Sequence, residues 1–168
     1  KKAFARMRRT VEDMEGLIET LLLLARGEEV ERIHEIRCLN DLVPGFVEQL
    51  APMAADRGLD LSIDEQAQLW VKSPSRVIQI ILTNLLRNAI NYTQQGSVVV
   101  RIRENTISVI DTGIGMSPEE LQHAFEPFYR GERSRASSMG HGLGLSIVRR
   151  LVHQFDSVSY THLTLPTN

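Results

Sequence analysis

Apolar residues recur at alternating steps of three and four along the first part of the chain. They occupy positions Phe4, Met7, Val11, Met14, Ile18, Leu21 and Ala25. This spacing is typical of a helix that buries one stripe against other helices, and Leu17, Leu22 and Leu24 widen the stripe toward that of a four-helix bundle. Residues 1–28 are therefore predicted to form one long helix that packs between molecules. The alternative is a helix packed against its own domain.

A different pattern begins after the polar residues 27–29. Short apolar runs with strand-like alternation are separated by longer stretches with helical periodicity, which predicts an α/β domain over residues 33–157. The predicted elements are a strand at 33–39, a helix capped by Asn40 or Asp41 and ended by Gly58, paired strands at 59–63 and 69–71, a helix from Pro74 to Tyr92, a hairpin of 98–103 with 107–111, and a helix at 143–155. Their order predicts helices packed on a mixed sheet.

Composition narrows the functional classes. The chain contains 42% hydrophobic and 24% charged residues, which is usual for a soluble globular protein. Its net charge of -2 gives no sign of a nucleic-acid-binding surface. The longest apolar run, residues 21–25, is too short to cross a membrane, so this chain is expected to contact neither nucleic acid nor membrane.

Two amide side chains lie four residues apart in the second predicted helix of the α/β domain. Asn84 and Asn88 would share one helix face, and apolar residues surround Asn88 in the sequence. A side-chain carbonyl oxygen is a ligand that Mg²⁺ accepts. The pair therefore indicates a magnesium site, and two buried, hydrogen-bonded amides are the equally weighted alternative.

Two glycine-rich segments follow. An Asp-x-Gly-x-Gly sequence begins at Asp111, where a carboxylate could accept a hydrogen bond from an adenine amino group and the glycines let a flat base come close. A Gly-His-Gly-Leu-Gly sequence at residues 140–144 opens the last helix, and backbone N–H groups at a helix start bind phosphate. Taken alone, the alternatives are an ordinary strand-ending turn and a flexible loop.

The order of these sequences is more specific than any one of them. Asn-x-x-x-Asn-Ala, Asp-x-Gly-x-Gly, Phe-x-Pro-Phe at residues 125–128 and Gly-x-Gly-Leu-Gly together resemble the histidine-kinase branch of the gyrase, heat-shock chaperone and mismatch-repair ATPase superfamily. The resemblance covers about residues 1–155. It implies a two-layer α/β sandwich of the Bergerat type, ATP and Mg²⁺ as cofactors, and a helix at residues 1–28 that belongs to a dimerisation and phosphotransfer hairpin.

The resemblance also implies roles for individual residues. Asn88 would bind magnesium, Asn84 and Arg130 would act beside it in catalysis, and Phe125 with Phe128 would form the base of a mobile lid over residues 116–139. The implied nucleotide-binding residues are Asn88, Asn91, Tyr92, Asp111, Gly113, Gly115, Phe128, Gly140, His141, Gly142, Leu143 and Gly144. Asn91 departs from the family, which often has a lysine there that reaches phosphate; His141 or Arg130 could supply charge instead.

Asn84 bears on the type of reaction. Hydrolytic members of the superfamily carry a glutamate there as base for water, and an amide cannot take that proton. A neutral histidine already offers a lone pair and needs no such base. The predicted function is therefore that of a protein-histidine kinase core, which transfers the γ-phosphoryl group of ATP to a histidine outside this chain for relay to a response regulator. A pseudokinase that only binds nucleotide is the alternative.

The resemblance further implies a homodimer formed through the bundle helix. It also implies a parent protein anchored in the bacterial inner membrane, with this domain on the cytoplasmic face. His34 begins a His-Glu-Ile-Arg sequence like that of the phospho-acceptor box, but the Thr/Ser-Pro that completes the box is missing. His34 also follows the bundle helix instead of preceding it, so it is not expected to be the acceptor.

The last residues of the chain do not fit the family. Residues 158–168 are expected to be a non-native tail in place of the last strands, because Val-Ser-Tyr-Thr-His-Leu can be encoded by a transposase-end sequencing adapter read in frame. A divergent natural tail is the alternative.

Overall fold

The computed structural model describes residues 36–131 and 142–154, together with Met14 and Ile18. Met14 and Ile18 are helical and about half exposed, at 55% and 53%. The rest of the predicted bundle helix, the predicted tail, and His34, Gly140 and His141 lie outside the described residues. Within the described part, no helix combines the length and apolar character needed to span a membrane.

Strands and helices are interspersed along the described part of the chain. They are β1 (Ile36–Cys38), α1 (Leu39–Ala55), β2 (Asp60–Glu65), β3 (Trp70–Lys72), α2 (Ser75–Tyr92), β4 (Ser97–Arg103), β5 (Thr106–Asp111), α3 (Pro118–His123) and α4 (Gly144–Gln154). The predicted α/β class, with helices on a mixed sheet, is confirmed.

The strands pair in two groups. β2 runs parallel to β4, with Leu61 opposite Val98, and β4 runs antiparallel to β5, with Val100 opposite Val109. The predicted hairpin of β4 with β5 is thereby confirmed. β1 and β3 form a separate antiparallel pair, so the prediction that residues 59–63 pair with residues 69–71 is wrong.

The core explains why β2 pairs with β4 and not with β3, which is nearer in the sequence. Val98, Val100 and Ile102 of β4 are fully buried, and burial of each such side chain contributes roughly 1.5–3 kcal/mol. β4 therefore takes the centre of its sheet and requires a partner on each side. β2 supplies one of them, with Leu61 and Ile63 packed against the same core.

Two helices cover this core. α1 contributes Leu39, Val43, Leu50 and Ala54, and α2 contributes Ile78, Leu82, Leu86, Ala89 and Ile90. A second cluster, with Val77 and Leu151 at its centre and Ile80, Ile81 and Ile147 around it, packs α4 against α2. This second contact holds the start of α4 beside the middle of α2.

The start of α1 differs from the prediction. The helix begins at Leu39 with Cys38 at its N-cap and no side-chain cap, so neither Asn40 nor Asp41 caps it. The Asn40 amide instead bonds to distant groups: its oxygen accepts from the Leu69 N–H at 3.1 Å, and its nitrogen donates to Glu65 at 2.9 Å. As a cap, the Asn40 side chain would satisfy one N–H group of its own helix. Its observed bonds instead connect α1 to the end of β2 and to the segment between β2 and β3.

Candidate functional site

One stripe on α2 carries the two predicted amides and Tyr92. Asn84, Asn88 and Tyr92 follow one another at intervals of four residues, so their side chains lie along the same helix face. At a rise of ~1.5 Å per residue, the stripe extends over about 12 Å. All three residues are half-buried. One end of the stripe lies near Gly144, and the other lies near Gly113.

The first turn of α4 lies against the Asn84 end of the stripe. A Cβ placed on Gly144 would be 3.1 Å from Asn84 Oδ1 and 3.8 Å from Asn88 Oδ1. Asn84 Nδ2 donates to the Ile80 carbonyl at 2.8 Å, and this bond fixes the amide with its oxygen toward Gly144. Because backbone N–H groups at a helix start attract anions, a positive helix end and two amide oxygens lie together here.

The segment that precedes α4 is joined to residues 128–129 through the main chain. The Phe128 N–H donates to the Gly142 carbonyl at 2.8 Å, and both residues have left-handed φ angles, of 65° and 71°. A Cβ on Gly142 would lie 2.5 Å from the Tyr129 carbonyl oxygen, so this junction requires glycine. The Phe128 ring is 72% exposed, so the predicted lid base meets the predicted phosphate loop through backbone contacts rather than through burial of this ring.

Asp111 forms a tight turn near the Tyr92 end of the stripe. The Gly113 N–H donates to Asp111 Oδ1 at 2.8 Å, the usual way in which an aspartate turns the chain. The Thr112 hydroxyl accepts from the Ser97 N–H at 3.0 Å and donates to the Gln95 carbonyl at 3.2 Å, which ties the turn to the start of β4. Asp111 is half-buried, and its second carboxylate oxygen has lone pairs for a further donor.

The Asp111 turn contacts the end of α2 directly. The Ile114 N–H donates to the Tyr92 carbonyl at 3.2 Å. A Cβ on Gly113 would lie 2.6 Å from that same carbonyl oxygen and 2.6 Å from Asp111 Oδ1. The absence of a side chain at Gly113 therefore lets the turn pack here. Gly115 follows with a φ of 63°, which glycine adopts without strain.

The predicted site residues thus fall into two groups that α2 connects. Asn84 and Asn88 lie with Gly144 at one end, and Tyr92 lies with Asp111 and Gly113 at the other. The two groups were predicted from separate parts of the sequence, and the structure places one at each end of the stretch of α2 from Asn84 to Tyr92.

Three further predicted residues occupy other positions. The Asn91 side-chain oxygen accepts from Arg57 Nη2 at 3.3 Å, so it is directed at the end of α1. The Leu143 carbonyl accepts from the Ser146 hydroxyl at 2.8 Å in the first turn of α4. Arg130 is half-buried after Tyr129.

Several residues that hold the segments around the site were not predicted from the sequence. Ser117 and Glu120 form a capping box at the start of α3, inside the range predicted as a lid, and their Ser-x-x-Glu spacing is a signal for such a start. Thr112 and Arg57 bond to other segments of the chain, and no local spacing reveals such contacts.

The site can be compared with what magnesium requires. In residues 36–131 and 142–154, no group of three or more His, Cys, Asp or Glu side chains could hold a metal ion. Magnesium usually binds one or two protein oxygens together with waters and substrate phosphates. An Asn88 oxygen beside the start of α4 fits that kind of site, in which phosphate supplies the remaining ligands.

Comparisons with known proteins identify similar sequences and structures. The family model described as Histidine kinase-, DNA gyrase B-, and HSP90-like ATPase matches residues 74–166, which is more than half of the chain. The sensor histidine kinase RppB of Synechocystis sp. is 37% identical over 142 residues, which cover 79% of this chain and 31% of that protein. The chain spans about a third of the length of the curated relatives it matches.

Solved structures show the same fold. Full-length ShkA in complex with AMPPNP aligns with a TM-score of 0.67 at 24% identity, covering 92% of this chain and 34% of that one. The mycobacterial sensor histidine kinase MprB aligns with a TM-score of 0.62 at 24% identity, covering 74% of this chain and 81% of that one.

Proposed function

The chain belongs to the histidine kinase-, DNA gyrase B- and HSP90-like ATPase family, and on that premise we propose that it is the ATP-binding catalytic core of a sensor histidine kinase. The reaction is transfer of the γ-phosphoryl group of ATP to a histidine side chain, followed by relay to a response regulator. The observation that carries the proposal is the stripe of Asn84, Asn88 and Tyr92, which joins the Asp111 turn to the start of α4.

Adenine binds at the Asp111 end. The Asp111 carboxylate accepts a hydrogen bond from the exocyclic amino group, since the bond from Gly113 uses only one of its two oxygens. Gly113 and Gly115 leave room beside the turn for a flat base. Guanine has a carbonyl oxygen in place of that amino group, so the same carboxylate repels it.

The phosphates bind at the other end of the stripe. The backbone N–H groups at the start of α4 bind phosphate oxygens, and Gly144 lets them come close to Asn84 and Asn88. Asn88 would hold magnesium, which when bound would neutralise charge on the phosphates. Asn84 does not activate water for hydrolysis, because an amide is not a base. Catalysis then rests on positioning and on charge stabilisation.

Relatives support the wider context of this proposal. RppB is named a sensor histidine kinase, and ShkA was solved with AMPPNP, an ATP analogue. We propose by analogy that the whole protein is a homodimer, that it works with a response regulator, and that it is anchored in the bacterial inner membrane with this domain on the cytoplasmic side.

Asp111→Asn should weaken ATP binding by about tenfold to 100-fold, equivalent to about 1.5–3 kcal/mol. The variant can keep the bond from the Gly113 N–H to its side-chain oxygen, so the turn persists. Its second carboxylate oxygen is replaced by an NH2 group, which is a donor and cannot accept a hydrogen bond from the adenine amino group. Calorimetric titration with ATP measures the effect. Asp64→Asn is the matched control, because the Asp64 carboxylate bonds to Arg101 and Gln66 on the sheet. Unchanged ATP affinity in the Asp111 variant would remove Asp111 from the site.

Transfer itself is tested with γ-labelled ATP and Mg²⁺, with and without a separate helical hairpin that carries the His-Glu-x-Arg-Thr/Ser-Pro box. Acid-labile, base-stable label on the added hairpin is the expected result. ATP binding without labelled hairpin would select the pseudokinase alternative, and rapid release of phosphate would select a hydrolytic ATPase.

A further inference from the structure

The C-terminal end of α2 shows how the adenine side of the site is held. A helix leaves its last four carbonyl groups without partners in the helix, and in α2 these belong to residues 89–92. The Ala89 carbonyl accepts from both the N–H and the hydroxyl of Thr93, at 3.0 and 2.7 Å, and the Tyr92 carbonyl accepts from the Ile114 N–H at 3.2 Å. Two carbonyls between them remain to be accounted for.

Arg57 satisfies both of those carbonyls. Its Nη1 donates to the Ile90 carbonyl at 3.2 Å and to the Asn91 carbonyl at 3.3 Å, and its Nη2 donates to Asn91 Oδ1 at 3.3 Å. One guanidinium therefore serves three acceptors from two nitrogens held in a fixed plane, whereas a lysine would have to reach all three from a single nitrogen on a flexible stem. α2 has no basic residue in its own last turn, so Arg57 also supplies the positive charge that a helix C-terminus favours.

The position of Arg57 is itself fixed by a turn. The Arg57 N–H donates to the Ala54 carbonyl at 3.0 Å just after α1, and Gly58 follows with a φ of 66°. The buried side chains Ala54 and Leu59 flank this turn. The guanidinium is therefore attached to the core through a short, ordered segment.

The C-terminal end of α2, where Arg57 bonds to the carbonyls of Ile90 and Asn91, adjoins the proposed nucleotide site. Tyr92 is the next residue, and its carbonyl accepts the Ile114 N–H within the turn of Asp111 and Gly113. A shift of the last helical turn of α2 would therefore also move the Asp111–Gly113 turn. The two pack so closely at the Tyr92 carbonyl that Gly113 has no room for a side chain.

We propose that Arg57 is a positioning residue for the adenine site. It sets both the affinity for ATP and the preference for adenine over guanine, without touching the nucleotide. This inference rests on the proposed function, because it assumes that the Asp111 turn binds a purine base.

The test compares ATP and GTP binding to the wild-type chain, Arg57→Gln, Arg57→Lys and Arg101→Gln, at a temperature where circular dichroism shows each variant folded. Arg57→Gln should raise the Kd for ATP about tenfold and lower the ratio of the GTP and ATP Kd values, a size typical of coupling through packed elements. Arg57→Lys should fall between the wild type and Arg57→Gln. Arg101→Gln removes a 2.6 Å ion pair with Asp64 on the sheet and should leave the ratio unchanged.

The Kd ratio separates positioning from simple loss of stability, since general destabilisation does not favour one base over the other. If the wild-type chain binds no ATP, the proposed function fails. If it binds ATP selectively and folded Arg57→Gln keeps the wild-type ratio, the role of Arg57 is wrong while the proposed function stands. Should Arg57→Gln not fold, the ratio in Arg57→Lys decides, and an unchanged ratio there overturns the inference.

Discussion

Gly113→Ala should weaken ATP binding by more than about 100-fold. The added Cβ would lie 2.6 Å from the Tyr92 carbonyl oxygen and 2.6 Å from Asp111 Oδ1, distances at which one of the groups has to move. Overpacking of this kind costs about 1–3 kcal/mol, and here both displaced groups belong to the adenine side of the site, so the loss of the adenine hydrogen bond adds to that cost. Calorimetric titration with ATP measures the affinity.

Gly45→Ala provides the matched control. Gly45 lies exposed within α1, and a Cβ there would meet nothing within 4 Å. This variant should bind ATP like the wild type and gain about 0.5–1 kcal/mol in unfolding free energy, because alanine is the better helix former. Wild-type affinity in Gly113→Ala would mean that the turn at Asp111 does not contact the nucleotide.

Asn88→Ala should remove nearly all of the affinity that magnesium adds to ATP binding. Loss of an outer partner at a metal site typically costs about 10–100-fold in metal affinity, so loss of a direct ligand should cost at least about 100-fold. The fold should survive, because alanine favours the helix more than asparagine does. The measurement is the ratio of ATP Kd values in EDTA and in Mg²⁺, which is expected to fall to about one.

Asn40→Ala distinguishes loss of a ligand from loss of stability. Asn40 lies at the start of α1, and its amide bonds to Leu69 and Glu65. Removal of this amide should lower the unfolding free energy by about 1–3 kcal/mol. The magnesium ratio should remain that of the wild type as long as this variant is folded. If Asn88→Ala keeps the wild-type ratio, the magnesium assignment is wrong.

Much of the fold could be predicted from the sequence because local signals were strong. The start of α2 follows Pro74, and the β4–β5 hairpin follows from alternating apolar residues on both sides of a short turn. The pairing of β2 could not be predicted in the same way. Its partner β4 lies beyond α2 in the sequence, and the choice depends on burial of Val98 and Val100 in a core that only the assembled fold creates.

The candidate site shows a similar division. The helical spacing of Asn84 and Asn88 predicted a shared face, and the turn at Asp111 was one of the two alternatives that the Asp-x-Gly-x-Gly sequence left open. The bond from Ile114 to Tyr92 and the three bonds from Arg57 join segments far apart in the chain. A polar residue that satisfies distant carbonyl groups has the same sequence signature as an exposed one, so Arg57 could be identified only from the structure.

The central claim is that this domain binds magnesium and ATP along the stripe from Asn84 to Tyr92. Calorimetric titration of the wild-type chain with ATP and with GTP, each in Mg²⁺ and in EDTA, tests it most directly. The account predicts saturable binding of ATP that is tighter than that of GTP and is strengthened by magnesium. No detectable ATP binding, or equal binding of ATP and GTP regardless of magnesium, would contradict it.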